Sequence, residues 1–335
     1  MKAAALTAPG RVDIIDLPRP ECGANEVLVR MTGVGLCGTD VGVVSGARPA
    51  PRLPWVLGHE GVGEIAAVGR DVRGRCNGER VAIEPNYCCG RCPECARGFT
   101  SGCAGRVAVG LAVPGVLAEY VAVPAEFAHP AAGHVRTEDL VCAEPLTVAR
   151  TAVRRSGAVA GDRCLVVGAG SQGLLVCACL VAAGITPLVQ EPHDGRRALA
   201  SALGAEPAGE PGAKVGHLFE TSGVPAALEA GLAHVAPGGK VTLIGMSAAP
   251  LELTLHEIVR RQLSLAGSLI YDHPHDFTGT VALLAEGTIA PHRVLRAEFA
   301  LADAAAAFDA VASTPGKCWI NLGRPARAAS GAVRR

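Results

Sequence analysis

Aromatic side chains are scarce in this chain, at 3% of 335 residues, so any pocket it builds is lined mostly by small and aliphatic groups. Net charge is absent too: 31 Lys and Arg balance 31 Asp and Glu. That leaves no electrostatic footprint for nucleic acid or an acidic membrane surface. The basic runs 73–80 and 324–335 are short and read as a solvated loop and a frayed, disordered tail. No apolar run reaches the roughly 18 residues of a membrane-spanning helix. The opening Met1-Lys2-Ala3-Ala4-Ala5 lacks the long apolar core of a secretory signal. A cytoplasmic protein is therefore expected.

What is present starts with length, which exceeds one ordinary core and predicts two domains. Cysteine is abundant, at 13 positions, and five of these fall between Cys88 and Cys103. In a reducing compartment such a cluster reads as a metal site rather than disulfides. The excess of Arg over Lys, with much Ala and Gly, reflects a GC-rich coding bias and carries no functional weight.

Up to about residue 140 the chain alternates short apolar runs with Gly and Pro, as in 11–16, 26–31, 61–68, 80–83 and 118–123. This pattern predicts a β-rich domain with long loops. Helical character is expected at 144–159. Apolar runs then alternate with helix-like stretches: 164–167, 172–183, 188–190, 196–203, 217–220, 225–234 and 241–244. Alternation of this kind predicts a parallel sheet with crossover helices. Residues 263–271 read as a further strand, 300–312 as a helix and 318–322 as a closing strand.

Gly168-Ala169-Gly170-Ser171-Gln172-Gly173 is a G-x-G-x-x-G string that directly follows the strand-like 164–167 and opens a helix. Its glycines allow a tight turn, a close approach of backbone N–H groups to a pyrophosphate, and close helix–strand packing. The helix N-terminus adds a positive dipole end. About 20 residues on, Glu191 ends the next strand, where a carboxylate accepts hydrogen bonds from ribose hydroxyls. That favours NAD, while Arg196 and Arg197 leave NADP open. Thr221 and Gly245 belong to the later turns expected at the same cofactor.

Cys89, Cys92, Cys95 and Cys103 are separated by two, two and seven residues. Four thiolates at this spacing close around one Zn²⁺ with bonds of about 2.3 Å and leave no open position, so the ion they hold is structural. Cys88 is left out of that set.

Three further segments each carry a zinc-type ligand: Gly35-Leu36-Cys37-Gly38-Thr39-Asp40, Gly58-His59-Glu60-Gly61 and Ala143-Glu144-Pro145-Leu146. With the cysteine lobe and the glycine fingerprint, they resemble the zinc-containing medium-chain dehydrogenase/reductase family, in its polyol, threonine and butanediol dehydrogenase branch, over residues 1 to 323. The resemblance implies an α/β fold: a Rossmann doubly wound parallel sheet plus a β-rich GroES-like catalytic domain. The catalytic domain would span 1–148 with its structural-zinc lobe at 88–103. The Rossmann domain would span 149–285, and 286–323 would return to the catalytic domain. The resemblance further implies two zinc ions per chain. Cys37 and His59 would hold the catalytic one, with Glu144 as third ligand and Glu60 as the alternative. Thr39 would hydrogen-bond the reacting hydroxyl, and Asp40 would be a structural acceptor. A homodimer or homotetramer is implied as well.

The sequence departs from that family at Gly42, where many relatives carry a proton-relay histidine, at Thr151, where another histidine is common, and between 205 and 219, where a crossover is trimmed to a loop. The expected activity is oxidation of a secondary alcohol, of polyol, sugar or cyclitol type, to a ketone with NAD. The alternatives are an NADPH-linked ketone or aldehyde reductase and a non-catalytic binding protein. Ser45, Arg48, His273 and His275 are the polar candidates for reading a substrate.

Overall fold

The computed structural model describes residues 1–323 other than 211 and 213, so the expected tail at 324–335 lies outside the described residues. Two compact units form: residues 1–95, 103–144 and 295 onward make the first, and residues 96–102 and 145–294 the second. The sequence put the corresponding boundaries at 148/149 and 285/286.

The alternating stretches of the first unit fold as strands. Glu26–Gly35 is the central one. Its buried Val27, Val29, Met31 and Val34 enter a core with Ile65, Val81, Ile83, Leu117, Phe308 and Ile320. The sheet runs in the order Ala128–Pro130, Arg80–Ile83, Glu60–Val68, Glu26–Gly35, Lys317–Asn321 and Leu295–Ala300, and Tyr120–Pro124 also pairs with Glu26–Gly35. A smaller sheet joins Arg11–Asp16, Lys2–Ala8 and Trp55–Val56. Strand register sets Gly35 opposite Glu60 on one side and Trp319 on the other. The last strand of the described chain thereby flanks the segment that leads into Cys37.

The second unit holds a six-stranded sheet in the order Glu206–Pro207, Leu188–Gln190, Cys164–Val167, Val215–Glu220, Val235–Leu243 and Ser264–Gly267, parallel throughout. Cys164–Val167 is buried along its whole length, as a strand covered on both faces must be. The helices Ser171–Ala182 and Pro225–Leu232 both pack on it. Between Glu206–Pro207 and Val215 no helix occurs among the described residues, so the trimmed crossover keeps only a two-residue edge strand. The helices Leu255–Arg261 and His275–Glu286 carry no strong periodic signal and were not expected from the sequence.

Candidate active site

Cys37 ends the Gly35-Leu36 exit from the central strand and caps the helix Gly38–Val44. Its Sγ accepts the Thr39 N–H at 3.5 Å, while its own N–H donates to Asp40 Oδ2 at 3.1 Å, a reciprocal capping box. Asp40 is buried and its other oxygen serves the second ligand segment. Oδ1 accepts the Gly58 N–H at 3.1 Å and lies 3.1 Å from His59 Nδ1. One carboxylate therefore sets the backbone at Cys37 and the ring of His59, directing Nε2 of His59 away from it, as second-sphere carboxylates do for zinc-binding histidines. Asp40 thus has both carboxylate oxygens engaged within the two segments. Burial pushes its pKa up, but His59 and the two backbone N–H groups outweigh that and lower it. Burial likewise disfavours the His59 cation, yet Asp40 and Cys37 raise its pKa well above 6.5.

Cys37, His59 and Glu60 offer ligand atoms that all lie within 4.8 Å of one another. A thiol, an imidazole and a carboxylate at that spacing suit Zn²⁺. Glu60 is 1% exposed and its Oε1 has no hydrogen-bond partner, a costly state for a buried acceptor. Its Oε2 meets Lys317 Nζ at 2.5 Å, as an ion pair rather than a directional hydrogen bond. Lys317 is 2% exposed and also donates to the Leu36 carbonyl at 2.9 Å. Burial would lower the lysine pKa; Glu60 foremost, and Cys37 with it, raises it instead. Gly35 makes the pairing possible. A Cβ there would overlap Glu60 Oε2 and come within 2.9 Å of Lys317 Cε. Lys317 was missed from the sequence. Its one signal was rarity, since lysine occurs only at 2, 214, 240 and 317 in a chain that otherwise uses arginine.

Glu144 begins the helix Ala143–Ser156 and is buried, and it stands outside the group formed by Cys37, His59 and Glu60. Thr39 lies two residues past Cys37 in the first turn of its helix. At Gly42 an added Cβ would meet the Arg48 side chain at 3.5 to 3.7 Å, so arginine covers the space expected for a relay histidine. Thr151 is fully buried with its hydroxyl unpartnered. Another buried pair, Glu84 and His129 at 2.6 Å, had no sequence signal because its members are 45 residues apart.

Cys89, Cys92, Cys95 and Cys103 come together as the second candidate metal group. The backbone N–H groups of Arg91 and Cys92 lower the Cys89 thiol to about 6, whereas burial and the neighbouring sulfurs push Cys95 up to about 12. Four thiolates side by side require a cation, and these residues fit a zinc ion. Cys88 stays outside the group.

In the second unit the glycine fingerprint has the geometry its spacing requires. Gly168 takes φ +90°, and a Cβ on Gly173 would overlap the Gly168 carbonyl oxygen. No side chain caps the helix that starts at Ser171, after Gly170, leaving its N-terminal N–H groups for an anion. Gln172 donates to the Pro145 carbonyl at 3.2 Å. Glu191 ends its strand with Oε2 on the Ala169 N–H at 2.8 Å and Oε1 on the His193 N–H at 2.9 Å. Thr221 ties the loop from the other side, donating to the Val167 and Gly168 carbonyls, both at 2.9 Å. Gly245 is required by close packing on Gly223 and Glu220. Arg196 lies in the helix Asp194–Ala202, and Arg197 pairs with Asp194. The cradle fits a dinucleotide. Glu220, missed from the sequence, is buried and accepts the Ser222 and Gly223 N–H groups at 2.7 and 2.9 Å.

Comparison with known proteins agrees with both halves. The alcohol dehydrogenase GroES-like domain matches residues 23–133, and the zinc-binding dehydrogenase domain matches residues 173–286. A 2-dehydro-3-deoxy-L-galactonate 5-dehydrogenase from Pseudoalteromonas atlantica is 31% identical, over 85% of this chain and 87% of that one. The chain belongs to the zinc-type alcohol dehydrogenase family. It is an NAD(P)-linked alcohol dehydrogenase of the medium-chain type, with a GroES-like and a Rossmann-like part. An Escherichia coli CFT073 alcohol dehydrogenase complexed with NADH superposes on this dehydrogenase with TM-score 0.90 at 27% identity, covering 96% of this chain and 99% of that one. A zinc-binding dehydrogenase from Sinorhizobium meliloti bound to NADP gives TM-score 0.88 at 28% identity, covering 96% and 98%. No helix among the described residues is long and apolar enough to cross a membrane.

Proposed function

We propose that this dehydrogenase oxidises a secondary alcohol of a polyol, sugar or sugar acid to the ketone, using NAD and two zinc ions per chain. The observation that carries the reading is the group of Cys37, His59 and Glu60, whose ligand atoms lie within 4.8 Å of one another, with Asp40 orienting the histidine. Cys37 and His59 would hold a zinc ion that eases loss of the alcohol proton, and the glycine loop at 168–173 with Glu191 would hold the dinucleotide that takes the hydride. Cys37 and His59 are the permanent ligands in this reading, with Glu144 as the third and Glu60 as an exchangeable alternative. Thr39 accepts the hydroxyl proton's hydrogen bond at the start of its helix. With Gly42 in the relay position, that proton leaves through water or a substrate hydroxyl. The four cysteines 89, 92, 95 and 103 hold the structural zinc.

NAD is favoured over NADP because the Glu191 carboxylate repels a 2′-phosphate. The sugar-acid relative supports the substrate class. We place the enzyme in the cytoplasm, a reducing compartment that suits cysteines outside disulfides, and take it to work as a homodimer or homotetramer. A panel of polyols, sugar acids, amino alcohols and simple secondary alcohols, assayed by NAD and NADP reduction on metal-analysed protein, tests the reading. Turnover of the polyhydroxylated compounds with NAD is expected. Turnover of simple alcohols alone would overturn the substrate class, and a preference for NADP would overturn the role of Glu191.

A further inference from the structure

A fully buried cation sits on the acid that borders the metal pocket. Lys317 Nζ lies 2.5 Å from Glu60 Oε2 and 2.9 Å from the Leu36 carbonyl oxygen. It therefore grips the residue before Cys37 and the residue after His59 at once. The partner arrives from the far end of the chain through the strand Lys317–Asn321, and Gly35 is bare of a side chain where the two groups meet. The other carboxylate oxygen, Oε1, has no hydrogen-bond partner. A buried oxygen left without a donor, beside a thiol and an imidazole, is an acceptor that a nearby cation would draw in unless another charge holds the carboxylate back.

We propose that Lys317 is a positioning residue that holds Glu60 in reserve: its charge weakens Glu60 as a metal ligand and keeps one coordination position open for the alcohol. The inference rests on the reading of Cys37 and His59 as ligands of a catalytic metal. A carboxylate shared between an ammonium group and a divalent cation donates less to the cation than a free one, because both compete for the same electron density. Removing the lysine charge frees the carboxylate to bind the metal permanently, which is also the cheapest way to satisfy a buried anion that has lost its partner.

Cobalt substitution of the purified full chain tests this. The cysteine-only site contributes the same background in every variant, so changes in the d–d bands report on the Cys37 centre. In Lys317→Met the bands are expected to shift, and metal release to a chelator to slow about tenfold, the lower end of what outer-shell changes do. Lys317→Arg, which keeps the charge, is expected to retain the wild-type spectrum. Glu60→Gln in the wild-type background is also expected to retain it, because Glu60 is not a resting ligand. The double variant Glu60→Gln/Lys317→Met, which buries no lone charge, is expected to return to the wild-type spectrum. A Lys317→Met spectrum and release rate equal to wild type would overturn the proposal. So would a shift in Glu60→Gln alone, which tests it even should Lys317→Met fail to fold. A Cys37→Ser variant that binds as much cobalt as wild type would instead overturn the reading of the metal centre, and the proposal with it.

Discussion

Asp40 Oδ1 lies 3.1 Å from His59 Nδ1, and the same side chain holds the backbone N–H groups of Cys37 and Gly58. Two ligand segments 22 residues apart thus share one buried acceptor. Asp40→Asn keeps the shape but loses the charge and one of the acceptor oxygens. Zinc affinity at the Cys37 centre is expected to fall 10- to 100-fold, about what loss of a second-sphere partner costs. Competition with a chromophoric chelator measures it; unchanged affinity would show that Asp40 does not orient the ligand.

Cys37→Ser is expected to abolish alcohol oxidation and reduce zinc from two ions per chain to one. Elemental analysis against protein concentration decides this. Cys95→Ser is the complementary variant, expected to lose the other ion and to lower thermal stability, because a structural site contributes folding energy directly.

At Gly173 a Cβ would overlap the Gly168 carbonyl oxygen and stand 2.7 Å from Thr221 Oγ1. Gly173→Ala therefore forces the helix away from the strand, at a cost of about 1–3 kcal/mol for overpacking. NADH affinity, read by fluorescence titration, is expected to fall about 10- to 100-fold with zinc content unchanged. Retained affinity would mean that the loop tolerates a wider turn.

Gly42→His restores the relay position of the wider family. The new Cβ meets only ordinary contacts with the flexible Arg48 side chain, so the fold is expected to survive. The pH profile of kcat is expected to gain an inflection in the histidine range, near pH 6.5. A profile identical to wild type would show that the proton route does not pass this position.

Asp272 accepts the Ser101 N–H at 2.9 Å and pairs with Arg155 at 2.8 Å. Burial raises its pKa, but these donors outweigh it and the net shift is downward from 3.8. A carboxylate whose pKa is depressed in the folded chain contributes stability that is present above 3.8 and lost as pH falls through the folded value. Denaturant midpoints of the wild type are expected to drop on acidification below about pH 4, and Asp272→Asn to flatten that slope. Equal slopes would remove Asp272 from the acid response.

Much of this was legible in one dimension. Segments whose chemistry depends on close neighbours along the chain announced themselves: the glycine turn after a buried strand, the four cysteines and the Cys37 and His59 segments. Helix positions followed the periodicity to within a few residues, as with 172–183 against Ser171–Ala182. The short helices without a strong apolar stripe, such as Leu255–Arg261, were not legible, because their place is set by packing rather than pattern.

The sequence by itself determined the residue types and local spacings, hence the family and the NAD(P)-linked class of activity. Only the tertiary structure decided which distant groups oppose one another. Glu60 was visible as an acid after a histidine, and Lys317 only as one lysine in a closing strand. Antiparallel pairing across Gly35 brought the two buried side chains to 2.5 Å. A contact between residues 257 positions apart arises from sheet register, which no local pattern encodes.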